Sequence, residues 1–139
     1  MLAKTKILTI STDPVLVSFL QQGLNDGEYE IISTRHTGMQ LKDVIDSEDP
    51  EFIILDIMMP TLDGIGTCLQ LRQWTHLPIM MLSTWGTGDG TIRGLSLGSD
   101  SYLTEPFGVE VLKTRIEETL KRNAAVTVDP LSDMRTGKY

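Results

Sequence analysis

The chain has 139 residues, 40% of them hydrophobic and 22% charged, enough for one domain with a core of its own. A formal net charge of −7 argues against this segment gripping nucleic acid itself, because neutralising phosphates requires a basic face. The single cysteine, Cys68, excludes an internal disulfide and fits a cytoplasmic protein, and no apolar run approaches the length of a membrane span.

Met1-Leu2-Ala3-Lys4-Thr5-Lys6 leads directly into a first strand-like run at residues 7–10, with no signal-peptide layout. Pro14 suits a first helical turn, with Asp13 or Thr12 as its cap, and Val15, Leu16, Phe19, Leu20 and Leu24 form its apolar face. A second strand at 29–33 precedes a helix carrying Leu41, Val44 and Ile45, which Pro50 ends. The third strand, 52–55, is apolar throughout, as in a strand buried on both faces. Asp63 caps a third helix whose face is Ile65, Cys68, Leu69 and the stem of Arg72. A fourth strand follows at 78–82, then a glycine-rich segment at 86–98. There Gly86, Gly88, Gly90, Gly94 and Gly98 each cost a helix about 0.5–1 kcal/mol, so a short, shifted or mobile helix and a long loop are equal readings. A short strand at 101–103 and a closing helix from about Gly108, with Val109, Leu112, Ile116 and Leu120 inward, complete the pattern.

Strands alternating with helices predict an α/β fold with a parallel sheet and right-handed crossovers. At this size the expected architecture is the flavodoxin-like (βα)5 three-layer sandwich, with a parallel five-stranded sheet in order 2-1-3-4-5. Residues 1–122 are read as the domain. Residues 123–139 lose helical periodicity and are read as a C-terminal tail or the start of a linker to an effector domain.

Asp56 stands at the C-terminal end of the third strand, where chemistry collects in open parallel sheets. Its surroundings, Phe52-Ile53-Ile54-Leu55-Asp56-Ile57-Met58-Met59-Pro60-Thr61-Leu62-Asp63-Gly64, resemble the phosphoacceptor segment of two-component response-regulator receiver domains. Gly98-Ser99-Asp100-Ser101-Tyr102-Leu103-Thr104-Glu105-Pro106-Phe107 is similar to that family's Gly-Ala-Asp-Asp-Tyr-Leu-Thr-Lys-Pro-Phe stretch. Residues 7–14 and 78–83 match its first strand and turn and its fourth strand. The resemblance implies that Asp56 is the phosphoacceptor, that Ser83 supplies the hydroxyl following the phosphoryl group, and that Tyr102 is the aromatic switch residue. It also implies a cis bond before Pro106, which an X-Pro bond makes accessible.

Three positions depart from the family's site. The resemblance implies two adjacent metal-holding acids after the first strand, where this chain has Ser11 and Thr12. It implies a Lys before Pro-Phe, where this chain has Glu105. At about 4 Å and an effective dielectric near 20, exchanging that attraction for repulsion shifts the interaction by several kcal/mol. A phosphoryl group adds roughly −1.5 to −2 more charge and deepens the repulsion. No cofactor is therefore expected, and Mg²⁺ is expected to bind only weakly; the alternative metal arrangement is a cation among Asp56, Asp13 and Glu105.

The closing helix resembles that of OmpR/PhoB-type receivers, which implies a homodimer through the fourth helix, fifth strand and closing helix. Asp100 and Arg122 match one of the expected charged pairs; Arg115 has Ser101 where its acidic partner belongs, and Thr91 and Val111 replace the third pair. Two functions follow. One is an atypical, non-enzymatic pseudo-receiver in signal transduction and transcription regulation, acting by dimerisation or partner binding. The other is a divergent but competent receiver phosphorylated on Asp56 by a histidine kinase. In either case DNA is reached only through a separate C-terminal domain, no membrane is involved, and a cofactor-binding flavodoxin-like enzyme is disfavoured by the lack of a phosphate loop.

Overall fold

The computed structural model describes residues 4–25, 27–57, 64–83, 100–104 and 107–127, with the side chains of Ile65, Ser83, Tyr102, Thr104 and residues 123–127 outside the description. Five strands, β1 (Thr5–Ile10), β2 (Tyr29–Thr34), β3 (Phe52–Asp56), β4 (Ile79–Ser83) and β5 (Ser101–Thr104), form one sheet. The order is β2-β1-β3-β4-β5, and every neighbouring pair is parallel. The helices are α1 (Pro14–Leu24), α2 (Gly38–Glu48), α3 (Gly64–Trp74) and the closing helix α4 (Val109–Thr127). The glycine-rich segment expected as a further helix lies outside the described residues, as do Asp63, Thr91 and the Glu105–Pro106 bond.

The two faces of the sheet build separate cores. Ile7, Ile31, Phe52, Ile54, Met80 and Leu82 meet Leu20 and Leu24 of α1 and Leu112 and Ile116 of α4. Leu8, Ile10, Ile53, Leu55, Ile79 and Met81 meet Leu41 and Ile45 of α2 and Cys68 and Leu71 of α3. Strand side chains alternate between faces, so the unbroken apolar runs of β3 and β4 serve both cores at once. Each fully buried aliphatic side chain contributes about 1.5–3 kcal/mol.

Two residues assigned to helix faces from the sequence point outward instead. Val15 is 76% exposed and Leu69 is 42% exposed. Val15 lies about 140° round the helix from Leu20, and Leu69 about 160° from Leu71, at 3.6 residues per turn. Leu71, not Leu69, completes the α3 face, beside Cys68. α2 stops at Asp49, which caps it in the left-handed conformation with φ 52°, one residue before Pro50. The closing helix runs on to Thr127, past the boundary read at Arg122. Ala124 and Ala125 sustain it there, because alanine favours helix without needing an apolar face to bury.

α1 and α4 lie side by side on one face, and Gly23 sets their approach. A Cβ added at Gly23 would stand 2.6 Å from Val109 Cγ2. Phe19 and Phe107 meet edge to face nearby, with centroids 5.9 Å apart.

Gly23→Ala should therefore destabilise the fold by about 1 kcal/mol net, overpacking outweighing the gain in helix propensity. Urea unfolding checks this, and Val109→Ala in the same background should remove the clash component of the loss. Burial pushes the Cys68 thiol up from its ordinary value of 9.0; Arg72 pulls it slightly down and Asp100 pushes it up. The folded state then holds this proton more tightly than the unfolded chain, so its contribution is full below 9.0 and declines as pH rises further. Iodoacetamide in mildly alkaline buffer should label Cys68 only in step with global unfolding.

Candidate functional site

β1 and β3 pair with Ile7 opposite Phe52 and Ile10 opposite Leu55. Continued by one residue, that register brings Ser11 beside Asp56 at the C-terminal edge of the sheet. Ser11 is fixed from its other side, where its N–H donates to Thr34 O at 3.1 Å. Asp56 is 5% exposed and Ser11 4% exposed. The Ser11 hydroxyl donates to Asp56 Oδ2 at 2.7 Å, joining residues 45 positions apart in sequence. The same Oγ accepts from Asp13 N–H at 3.0 Å. A relay thus runs from the Asp13 amide through the Ser11 hydroxyl to the Asp56 carboxylate, with the hydroxyl as donor toward the acid.

Asp13 is committed elsewhere. Its backbone is extended, and its Oδ1 accepts from Val15 N–H at 2.9 Å as the N-cap of α1, with Pro14 at the first helical position. The carboxylate also complements the positive end of the helix. Beside the relay opens a cavity of about 310 Å³ whose walls include Thr12, Asp13, Ser33, Thr34 and Arg35. Among the described residues its polar groups are hydroxyls and the Arg35 guanidinium, with Asp13 the sole acid in the lining. Among the described residues, no three His, Cys, Asp or Glu side chains come together.

Of the remaining predicted residues, Ser83 ends β4 with its Cα opposite Thr104, and Tyr102 lies opposite Met81. Their side chains, and the whole of Glu105, are outside the described residues. The structure therefore brings Asp56, Ser11 and Asp13 together.

Within the chain, the charged residues expected on the self-association face have contacts of their own. The Asp100 carboxylate is taken up inside the chain, where its Oδ2 accepts from Arg72 Nη2 at 2.5 Å and from Ile79 N–H at 2.8 Å. Arg122 touches Asp100 through its carbonyl, at 3.4 Å, and Thr119 Oγ1 at 3.3 Å. Ser101, standing where an acid opposite Arg115 was expected, is 6% exposed and turned inward. Its hydroxyl has no hydrogen-bond partner among the described residues. Arg115 is partly buried on α4, and its carbonyl accepts from Thr119 Oγ1 at 2.8 Å. Arg72 was missed as a polar residue because its helical position beside Cys68 suggested only an apolar stem. Thr34 was missed because its contribution is a carbonyl, which leaves no trace in sequence.

An open, parallel doubly wound sheet with a buried acid at the C-terminal end of its central strand defines the class: a flavodoxin-like α/β domain built around a strand-end carboxylate. Residues 7–117 match the family described as "Response regulator receiver domain". The "Probable transcriptional regulator ycf27" of Cyanophora paradoxa is 35% identical over 129 residues, which is 93% of this chain and 54% of that protein. The "Alkaline phosphatase synthesis transcriptional regulatory protein PhoP" of Bacillus subtilis is 35% identical over 131 residues, covering 94% of this chain and 53% of that protein. The solved Francisella response regulator 1452 receiver domain is 30% identical with a TM-score of 0.74, covering 86% of this chain and 99% of that one. The chain belongs to the response regulator receiver domain family, with OmpR/PhoB-like relatives. It spans about half the length of the curated relatives it matches.

Ser11→Ala should destabilise the domain by about 1–3 kcal/mol, because a buried carboxylate loses a donor that water cannot replace. Asp56→Asn in the same background should recover part of that loss by removing the charge. Chemical denaturation of the two single variants and the double variant measures the coupling.

Proposed function

We propose that this domain is an atypical receiver that signals in the cytoplasm by dimerisation or partner binding, without conventional Mg²⁺-dependent phosphotransfer. The observation carrying the reading is the 2.7 Å bond from Ser11 Oγ to Asp56 Oδ2. A neutral hydroxyl meets the acid from the strand end where the family resemblance implies a metal-holding carboxylate. Mg²⁺ in such sites is usually held through one or two carboxylates together with phosphoryl oxygens. Here Ser11 and Thr12 bring no charge, and Asp13 spends its carboxylate on capping α1. The residues present do not fit the ion.

Glu105 supports the same reading by sequence alone, because a carboxylate in place of the expected Lys repels the phosphorylated acid. Without phosphate to shift the equilibrium, the active arrangement has to be populated by the sequence itself or by a partner. The partners proposed are a second copy of this chain through β5 and α4, and an effector segment that supplies DNA binding as in the transcriptional regulators it resembles. A histidine kinase belongs to the competing reading, in which Asp56 accepts a phosphoryl group.

Incubation with acetyl phosphate and Mg²⁺, followed by intact mass measurement, separates the two. No phosphoryl adduct is expected on the native chain or on Glu105→Lys, whereas Glu105→Lys with Ser11→Asp and Thr12→Asp should begin to accept one. A stable adduct on Asp56 of the native chain would overturn the proposal.

A further inference from the structure

Arg72 lies on α3, on one face of the sheet, and α4 covers the other face. A continuous set of polar contacts nevertheless joins them round the edge of the sheet where β4 and β5 begin. Arg72 Nη1 donates to Leu77 O at 2.6 Å and to Thr75 O at 3.4 Å, which anchors the guanidinium against the turn entering β4. Its Nη2 then holds Asp100 Oδ2. Asp100 is pinned at three further points: Ile79 N–H donates to that same oxygen, Asp100 N–H donates to Ile79 O at 2.8 Å, and Arg122 reaches the Asp100 carbonyl. The pair is partly shielded, with the Arg72 side chain 21% exposed and that of Asp100 34% exposed. This edge is the opposite end of the strands from Asp56, which closes β3 at its C-terminus.

We infer that Arg72 is the positioning residue of the self-association face: by clamping Asp100 it fixes the start of β5, and through the Asp100 carbonyl it aims Arg122. The inference rests on the dimeric reading proposed above and adds to it the residue that controls the face. Arg122 is exposed and held by two long contacts of 3.3 and 3.4 Å, so its direction depends on where the Asp100 backbone sits. The Asp100 backbone is held by its own bond to Ile79 O and by the Arg72 fork, whose Nη1 donates to carbonyls while Nη2 donates to the Asp100 carboxylate. Control of assembly is thereby placed away from the Asp56 pocket, in a domain that has Ser11, Thr12 and Glu105 where the family's two metal-holding acids and Lys are expected.

Sedimentation velocity over a concentration series tests this with Arg72→Met, Arg72→Lys, Asp100→Asn, the Arg72→Met/Asp100→Asn double variant and Arg122→Asp. Arg72→Met and Asp100→Asn should each weaken the dimer about tenfold, and the double variant should be no weaker than either, because both act through one contact. Arg72→Lys should fall between native and Arg72→Met, since it keeps the charge and loses the fork. Should Arg72→Met fail to fold, Asp100→Asn and Arg72→Lys carry the comparison, with circular dichroism showing which variants are native. Native-like dimerisation of folded Arg72→Met, or losses that multiply in the double variant, would overturn the role of Arg72 while leaving the dimer intact. A native chain that stays monomeric, or an Arg122→Asp dimer as tight as native, would instead overturn the dimeric reading and the inference with it.

Discussion

A carboxylate that is 5% exposed at the end of a strand buried on both faces has to be met by donors, and that constraint organises the upper edge of this domain. Charge is costly away from water unless it is paired or hydrogen-bonded. One of the donors is the Ser11 hydroxyl, brought into place by the parallel register of β1 on β3. The same hydroxyl takes up the amide of Asp13, whose carboxylate starts α1. Strand pairing, acid satisfaction and helix initiation are thus one connected arrangement, and a change at Ser11 reaches all three.

The opposite edge is built on a different principle. There, two charged groups satisfy each other and several backbone groups together, with Arg72 bridging carbonyls at 75 and 77 to the Asp100 carboxylate. An exposed ion pair of this kind would contribute little. This one is partly sequestered, has a guanidinium with several acceptors, and lies beside the buried thiol of Cys68, whose ionisation it perturbs in both directions. At the upper edge a neutral hydroxyl meets the buried Asp56 carboxylate, while the lower edge holds a compensated pair.

Membership in the receiver family explains the architecture, and the departures within it carry the functional proposal. The acid at the end of β3 stands at the mouth of the sheet because the central strand ends there with Asp56. Whether that acid acts as a nucleophile depends on the charges around it, because phosphoryl transfer to a carboxylate requires the accumulating negative charge to be neutralised. Ser11, Thr12 and Glu105 provide no such neutralisation.

Much was legible from the sequence because it rests on local rules. Apolar runs and helical spacing gave the strands and helices nearly to their ends, since period and turn chemistry act within a few residues. Asp13 as the cap of α1 and the membership of Leu20, Leu24, Leu112 and Ile116 in the core follow from the same local logic. Where a helix carried more apolar residues than one face can hold, the reading went astray, as at Val15 and Leu69; only packing against the sheet selects which are buried. Ser11 read as a lost metal ligand, because its use as a donor to Asp56 depends on strands whose contacting residues are 45 positions apart. The hold of Arg72 on Asp100 was not legible, because nothing local links residues 28 positions apart. Sequence by itself determined the elements and the identity of the charges; tertiary structure alone decided which charge meets which donor, since those distances are set by strand register and helix docking rather than by neighbours in the chain.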